Sequence, residues 1–437
     1  MTALSYDDLL APYFEAETPR QKWVIGTEAE KFGVYANGQP VRYEDGIIRV
    51  LKILRDEHGW TPTPETAGGP LIALGRGRAS ITLEPGGQLE LSGSPLDSIH
   101  QTHLEFLGHR TELCRIGDRM GIEWLGLGYH PYARQEDLDW VPKLRYGIMR
   151  DYLLTRGARA RDMMRRTCTV QANLDYADEA DAMRKLRVSL AASPIVTAMF
   201  ANSPWSEGRT TGEHSHRAGV WLDVDPDRTG MLPFMWHDAS GYREYVEWGL
   251  DAPMFMFKRD GKVVANTGQP FRDFMKNGFE GHQATRTDWD THLATLFPEV
   301  RLKSTLELRS TDGQRLDLVC ALPALWKGLL YDETSLSALE KALSSIEYEA
   351  AAQAQRDVPA VGLGASYGGR TMHEWRTELL DLADAGLRRI GHLNGEDDES
   401  IYLAPLRALE DTPAAALLKR APGDAPTAEA VIEAARF

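Results

Sequence analysis

The sequence predicts an α+β protein built on antiparallel sheet, and three observations carry that prediction. Segments alternating polar with apolar residues, separated by hairpin turn signals, fill the earlier part of the chain. Past Asp317 the pattern turns almost wholly helical. The regular alternation of strand and helix that a parallel sheet requires is not shown.

The elements follow in order. Ser5-Tyr6-Asp7-Asp8 has capping-box form and predicts a short helix to about Phe14. From Trp23 to Tyr35 strand formers dominate, Asn37-Gly38 follows as a turn signal, and Glu28 and Glu30 share one strand face. A helix is expected over 45–57. In LIALGRGRASITLEPGGQLELSG, the Gly75-Arg76-Gly77 and Pro85-Gly86-Gly87 clusters cut out short strands, with Glu84 just before the second turn and Glu90 just after it. Leu96, Ile99, His103, Leu107, Cys114 and Met120 recur at near-helical spacing up to Gly121, which predicts a long packing helix. In MRRTCTVQANLDY, Thr167, Thr169, Gln171, Asn173 and Asp175 line one strand face and Cys168, Val170, Ala172 and Leu174 the other. VRLKSTLELRS repeats this as a strand, with Arg301, Lys303, Thr305, Glu307 and Arg309 on its polar side. The helical remainder divides off as residues 333–437, packed on a core of residues 1–332, and residues 358–369 read as an internal linker.

Composition bounds the function. At 437 residues and 43% hydrophobic content the chain can bury a large core. A net charge of -15 argues against nucleic acid or an anionic membrane as partner, because phosphate binding rests on clustered Lys and Arg. It allows a nucleotide substrate if divalent metals accompany it. No run reaches the roughly eighteen apolar residues of a membrane helix, and the first twenty residues lack an apolar core or transit-peptide bias, so a cytoplasmic protein is expected. Cys114, Cys168 and Cys320 form no CxxC and read as reduced thiols.

The chemistry gathers on the strands. If the polar faces converge, Glu28, Glu30, Glu84, Glu90 and Glu307 meet Gln171, Asn173 and Arg309 in one cavity. Hard oxygen ligands select magnesium or manganese over zinc. Magnesium usually takes only one or two carboxylates beside phosphate oxygens, so five carboxylates suggest at least two ions. Taken singly, each glutamate reads more simply as a solvated outer-face residue. The chain has neither GxxxxGK[ST] nor GxGxxG opening a helix. Gly364-Ala365-Ser366-Tyr367-Gly368 matches GxSxG, with His392 downstream, and makes a serine hydrolase the formal rival. His100 and His103, with His109, or His214 and His216, could ligate zinc, although hydrogen-bonded structural histidines are the simpler reading.

Longer blocks add a resemblance. GTEAEKFG, ITLEPGGQLELSGSPLDSIHQTH, LGLGYHP, VPKLRYGIMRDY, RTCTVQANLD, ANSPWSEG, DRTGMLP, FPEVRLKSTLELRSTDG and CALPALWKGLLYD resemble, in order and spacing, the plant-type glutamate-cysteine ligases also found in many proteobacteria. The resemblance runs from about Trp23 to Asp332 and more weakly beyond. It implies a catalytic domain like that of glutamine synthetase, with an antiparallel sheet curved around the active site. It also implies glutamate, cysteine and ATP as small-molecule partners. The γ-carboxylate of glutamate would attack the ATP γ-phosphate, and the cysteine amine would displace phosphate from the acyl phosphate. Two or three Mg2+ ions, replaceable by Mn2+, would accompany ATP. On this resemblance Glu28 and Glu307 would be shared metal ligands, Glu30, Glu84 and Glu90 would serve single ions, and Gln171 would stand where distant relatives place a histidine. Arg309 would reach the transferring phosphoryl group. Arg217, with Trp221 on the same strand face, and Arg145, Tyr146 and Arg150 would hold amino-acid substrates. The plant enzymes resemble redox switches with paired cysteines; at the corresponding places this chain has His103 and Asn266, so no thiol switch is expected.

Overall fold

A computed structural model describes residues 4–66, 68–237 and 240–437. Helix α1 (Tyr6–Glu15) opens with the expected capping box: the Asp8 amide donates to Ser5 Oγ at 3.2 Å, and the Ser5 amide donates to the Asp8 carboxylate at 2.8 Å. Strand β1 (Ile25–Tyr35) follows, and Gly38, at φ 83°, turns the chain after it. Helix α2 (Ile48–His58) begins later than its sequence pattern, because Tyr43–Ile47 winds as a π turn before it. Strands β3 (Ala73–Arg76), β4 (Ala79–Leu83) and β5 (Leu89–Ser92) are the short strands cut out by the glycine clusters, and a two-residue strand β2 (Thr61–Pro62), unmarked in the sequence, pairs with β3. Helix α3 (Ile99–Met120) is capped by Ser98 and stopped by left-handed Gly121. Strand β6 (Ile122–Leu125), helices α4 (Leu144–Leu153) and α5 (Ala160–Arg166), strand β7 (Val170–Leu174) and helices α6 (Glu179–Met199) and α7 (His216–Trp221) complete this part.

The main sheet has nine strands, every pairing antiparallel. Its order is Val300–Leu302, Leu306–Leu308, β7, β1, β5, β4, β3, β2, with β6 pairing the far end of β1. Because side chains alternate along a strand, one face carries Ala29, Val170, Ala172, Leu174, Leu306 and Leu308, all 2% exposed or less. Helix α6 and the helix Ala321–Leu330 pack on the sheet and join the same buried cluster. Burial of each large aliphatic side chain there contributes roughly 1.5–3 kcal/mol, enough to fix the register of every strand.

Three expectations are corrected. VRLKSTLELRS is a hairpin, with Val300–Leu302 and Leu306–Leu308 paired and Arg301 opposite Glu307. Odd-numbered residues pair with odd, so the predicted polar face survives the error. Arg217 and Trp221 sit on helix α7, where positions four apart also share a face. Residues 358–369 are no free linker: the helix Tyr348–Val361 runs through Pro359, and Val358, Leu363, Ala365 and Tyr367 are buried. The carbonyl of Pro359 accepts the amides of His214 and Ser215, which ties this segment to the start of α7.

Candidate active site

The polar face of the sheet is a grid set by strand register. In one row Glu90 on β5 lies between Thr82 on β4 and Glu30 on β1. In the next, Glu28 lies directly opposite Gln171 on β7. In a third, Asn173 on β7 lies opposite Glu307, which lies opposite Arg301. Glu84 reaches the same place from the turn after β4, where its amide donates to the Gln88 carbonyl at 2.9 Å. One carboxylate oxygen from each of Glu30, Glu84 and Glu90 lies within 4.8 Å of the other two. Directly opposed like charges destabilise a sheet, so the Glu30–Glu90 pairing is retained against its own electrostatic cost.

Neighbouring groups aim these carboxylates. The Thr169 amide donates to Glu30 Oε2 at 2.9 Å, and the hydroxyls of Thr82 and Ser92 donate to Glu90 at 2.6 and 2.8 Å. Asn173 Nδ2 donates to Glu28 Oε1 at 3.0 Å. Burial pushes the Glu28 carboxyl up to about 8, helped by Glu90 and Glu307. Burial also holds Glu30 well above the carboxylate range, with Glu84 and Glu90 adding to it. Glu84 is raised by burial, with Lys143 pulling it back and Glu90 pushing it further. Glu307 goes the other way: burial would raise it, but the guanidiniums of Arg301 and Arg309 hold it well below the usual range. Its carboxylate is gripped by Arg301, whose Nη2 donates to Oε1 at 2.9 Å, and Arg309 Nη1 stands 3.1 Å from Oε2. Arg309 Nη1 also donates to Gln171 Oε1 at 2.7 Å. Glu30, Glu84 and Glu90 thus form a converging oxygen set, Glu28 adjoins it, and Glu307, Gln171 and Arg309 form a bonded group beside it.

A cleft of about 650 Å³ opens over the grid, lined among others by Glu30, Glu84, Arg145, Tyr146, Arg217 and Arg309. Trp221 also lines it, and the Arg217 guanidinium lies 5.7 Å from its ring. The Tyr146 hydroxyl donates to the Leu83 carbonyl at 2.8 Å, which fixes α4 against the end of β4. Arg150, expected with Arg145 and Tyr146, does not line the cleft; it pairs with its exposed neighbour Asp151 at 2.7 Å. Positions 145 and 150 are five apart on a helix and face different ways.

Several residues at the site went unmarked in the sequence. Asp312 accepts the hydroxyls of Ser203 and Ser215 and the amide of Asn202, each at 2.7 Å. Ser215 in turn caps α7, and the Arg217 amide donates to Ser203 Oγ, so Asp312 sets the position of Arg217. The segment lies against LGLG: a Cβ on Gly126 would meet the Gln314 carbonyl oxygen at 2.2 Å, and one on Gly128 would meet Asp312 Cγ at 2.3 Å. Lys143, half-buried beside Glu84, donates to the Leu83 carbonyl at 2.6 Å. Only the unusual density of polar residues in RSTDG hinted at Asp312; Lys143 carried no signal.

The rival sites resolve differently. Ser366 is exposed on a two-stranded hairpin, Ser366–Tyr367 with Arg370–Thr371, rather than on a strand-to-helix elbow. His100 bonds the Tyr402 hydroxyl, His109 contacts Lys31 Nζ at 3.3 Å, and His214 bonds Thr412. His103 Nδ1 lies 3.9 Å from Cys320 Sγ, and His216 pairs with Glu213 and Arg159. Cys168 and Cys320 are buried, Cys114 is partly buried, and all three are free.

Comparisons with known proteins give one consistent answer. The sequence profile described as glutamate-cysteine ligase family 2 matches residues 24–434. The chloroplastic glutamate--cysteine ligase of Brassica juncea is 43% identical over 393 residues, covering 89% of this chain and 76% of the relative. Ligase B of Oryza sativa subsp. japonica is also 43% identical, over 89% and 79%. The Arabidopsis thaliana ligase is 42% identical, over 89% and 75%. Among solved structures, the Francisella tularensis glutamate--cysteine ligase in complex with AMP superposes with a TM-score of 0.57 at 13% identity, covering 94% of this chain and 87% of that one. A bifunctional glutathione synthetase from Pasteurella multocida gives 0.52 at 13% identity, over 98% and 53%. The profile spans nearly the whole chain and the relatives are 42–43% identical over 89% of it, so this chain belongs to the glutamate-cysteine ligase family 2.

Proposed function

We propose that the protein joins the γ-carboxyl of L-glutamate to the amine of L-cysteine at the expense of ATP, giving γ-glutamylcysteine, ADP and phosphate. The observation that carries this is the joint presence of the family match and of a converging carboxylate set with a guanidinium at its side. A carboxylate is a poor electrophile, and phosphorylation supplies the leaving group it lacks. Bringing it to a triphosphate requires charge neutralisation and alignment.

The donor set fits magnesium: oxygen ligands alone, buried, and mutually repelling without a cation. Glu28, Glu30, Glu84, Glu90, Glu307 and Gln171 would hold two or three ions, with manganese as a substitute. When bound, the ions supply positive charge to the phosphate oxygens of ATP. Arg309 supplies a planar fork for the transferring phosphoryl group. Arg217, Trp221, Arg145 and Tyr146 hold the amino-acid substrates; Arg150, turned away, is left out of this set. A glutamine synthetase-like sheet, curved around the site, belongs to the same proposal. So does the division into a catalytic core of residues 1–332 and a helical part, 333–437, packed on it.

A coupled assay of ADP release tests the reading. ADP should appear only with glutamate and magnesium, and cysteine should accelerate it with formation of the dipeptide. Glutamate-independent ATP hydrolysis would overturn it.

A further inference from the structure

Glu28 stands between the two halves of the grid, with Glu30, Glu84 and Glu90 on one side and the bonded group of Glu307, Gln171 and Arg309 on the other. Its direct strand neighbours do not aim it. It lies opposite Gln171 on β7 and opposite Ser92 on β5, but Gln171 Oε1 accepts from Arg309 and Ser92 Oγ donates to Glu90. Among the described residues the hydrogen bond to its carboxylate comes diagonally, from Asn173, two residues further along β7.

That diagonal reach depends on a glycine. Asn173 lies directly opposite Gly26 on β1. A Cβ on Gly26 would meet Asn173 Cβ at 3.2 Å and Nδ2 at 3.7 Å, the first of these closer than the roughly 3.5–4.0 Å at which carbon atoms pack best. Gly26 does not have a positive φ, so what it provides is space rather than backbone freedom. Across that space Asn173 Nδ2 donates to Glu28 Oε1 at 3.0 Å. From the hairpin turn on the other side, Thr305 Oγ1 donates to Asn173 Oδ1 at 3.2 Å. The three groups form a chain that runs one way, hydroxyl to amide oxygen and amide nitrogen to carboxylate. An ionised carboxylate only accepts, so Glu28 decides which end of the amide faces it, and the hydroxyl satisfies the other end.

We propose that Asn173 is a positioning residue of the ion site, holding Glu28 by one oxygen so that the other is presented to the cations, with Gly26 giving it room and Thr305 anchoring its far end. This rests on the ligase reading above and its ligand set, and adds to them a residue that acts through Glu28. The charge around Glu28 supports the role: the carboxylates of Glu90 and Glu307 bear on it, and an N–H on one oxygen offsets part of that repulsion before a cation arrives. Asn173 is poorly placed to be a ligand itself, because its nitrogen is a donor aimed at Glu28 and its oxygen already accepts from Thr305.

The test uses the full-length protein freed of metal, with Mn2+ alone as the probe and free Mn2+ read by electron paramagnetic resonance. Asn173→Leu keeps the bulk and loses the donor; Thr305→Val, from a different segment, keeps the shape and loses the hydroxyl. Each is first checked in EDTA for an unaltered melting transition, and one folded variant suffices. Partners that orient a metal ligand are worth roughly tenfold to a hundredfold in affinity, so the dissociation constant of at least one Mn2+ should rise about tenfold or more in Asn173→Leu. It should rise severalfold in Thr305→Val, and Thr305→Ser should bind as the wild type does. Turnover should fall at limiting magnesium and recover at saturating magnesium, with the glutamate and cysteine KM values unchanged. Asn173→Asp separates aiming from ligation: a carboxylate there would tighten binding if position 173 were a ligand, and is expected to weaken it by setting an acceptor against Glu28. Unchanged Mn2+ binding in either folded variant, or tighter binding in Asn173→Asp, would overturn the role while leaving the ligase reading intact. A wild-type enzyme releasing no glutamate-dependent ADP would overturn both.

Discussion

Glu30 and Glu90 sit opposite each other with Glu84 beside them, so the metal-free site stores carboxylate repulsion in a buried place. The carboxyls of Glu28, Glu30 and Glu84 are raised above their unfolded values. Such a group favours the folded state less as pH rises, because the native protein holds a proton that the unfolded chain has lost. For Glu28 that window runs from about 4.5 to about 8. A divalent cation replaces those protons, so magnesium should raise the melting temperature more at pH 8 than at pH 5.5. At a hundredfold excess over the dissociation constant the gain is about 2.7 kcal/mol. Histidines and lysines elsewhere titrate equally with and without magnesium, so the difference between the two melts isolates the site. Equal gains at both pH values would refute the ligand set. Arg309→Lys is a separate expectation: it keeps the charge and loses the fork, so kcat should fall by roughly a hundredfold or more. A defect limited to the ATP KM would contradict that role.

At the scale of elements, α7 is a six-residue helix that holds Arg217 and Trp221 only because its start is anchored. Asp312 accepts three hydrogen bonds there, with burial raising its carboxyl and Arg217 drawing it down. Asp312→Ala should cost at least about 2 kcal/mol, since each orphaned donor costs about 1–3 kcal/mol. It should also raise the glutamate KM while leaving magnesium stabilisation intact, because the carboxylate grid lies on strands and not on α7. Denaturant melts with and without magnesium measure both; an unchanged stability would remove Asp312 from this role. The same element shows what was legible in the sequence. Alternation marked the polar strand faces, and it placed Arg301, Glu307 and Arg309 together even though VRLKSTLELRS is a hairpin, because antiparallel pairing here preserves parity. Spacing of four put Arg217 and Trp221 together in the wrong element, since strand and helix agree at that interval. Asp312 was illegible for another reason. It is a single polar residue whose partners arrive from distant segments, and periodicity reports only on neighbours within one element. The apparent linker misled similarly, because glycine and proline mark breaks in regular structure but say nothing of whether the segment is packed.

Over the whole molecule, the helices after residue 332 are bound to the rest by a buried charged pair. Lys327 Nζ lies 2.8 Å from Glu399 Oε1, with side chains 3% and 0% exposed. The same oxygen accepts the Ile99 amide at 2.6 Å, at the first residue of α3, and Lys327 also donates to the Asp97 carbonyl at 2.8 Å. One carboxylate from the C-terminal part therefore satisfies a cation on the helix Ala321–Leu330 and an orphan amide at the start of α3. Removing one member of a buried pair strands the other charge, at a cost of about 3–5 kcal/mol. Glu399→Ala should accordingly destabilise the protein by that amount. Arg407→Ala breaks a pair to Asp381 in which both side chains are more than 40% exposed, and should cost less than about 1 kcal/mol. The form of the transition matters as much as its midpoint. One hydrophobic cluster runs from Leu9 to Phe437, and a second joins Phe32, Val34 and Leu125 of the sheet to Leu417 and Val431, so the loss should not stay confined to the C-terminal helices. Followed by far-ultraviolet circular dichroism and by tryptophan fluorescence, Glu399→Ala should shift one coincident unfolding curve. If instead an early phase split off and left the magnesium-stabilised sheet melting as before, residues 333–437 would be an independently folding unit.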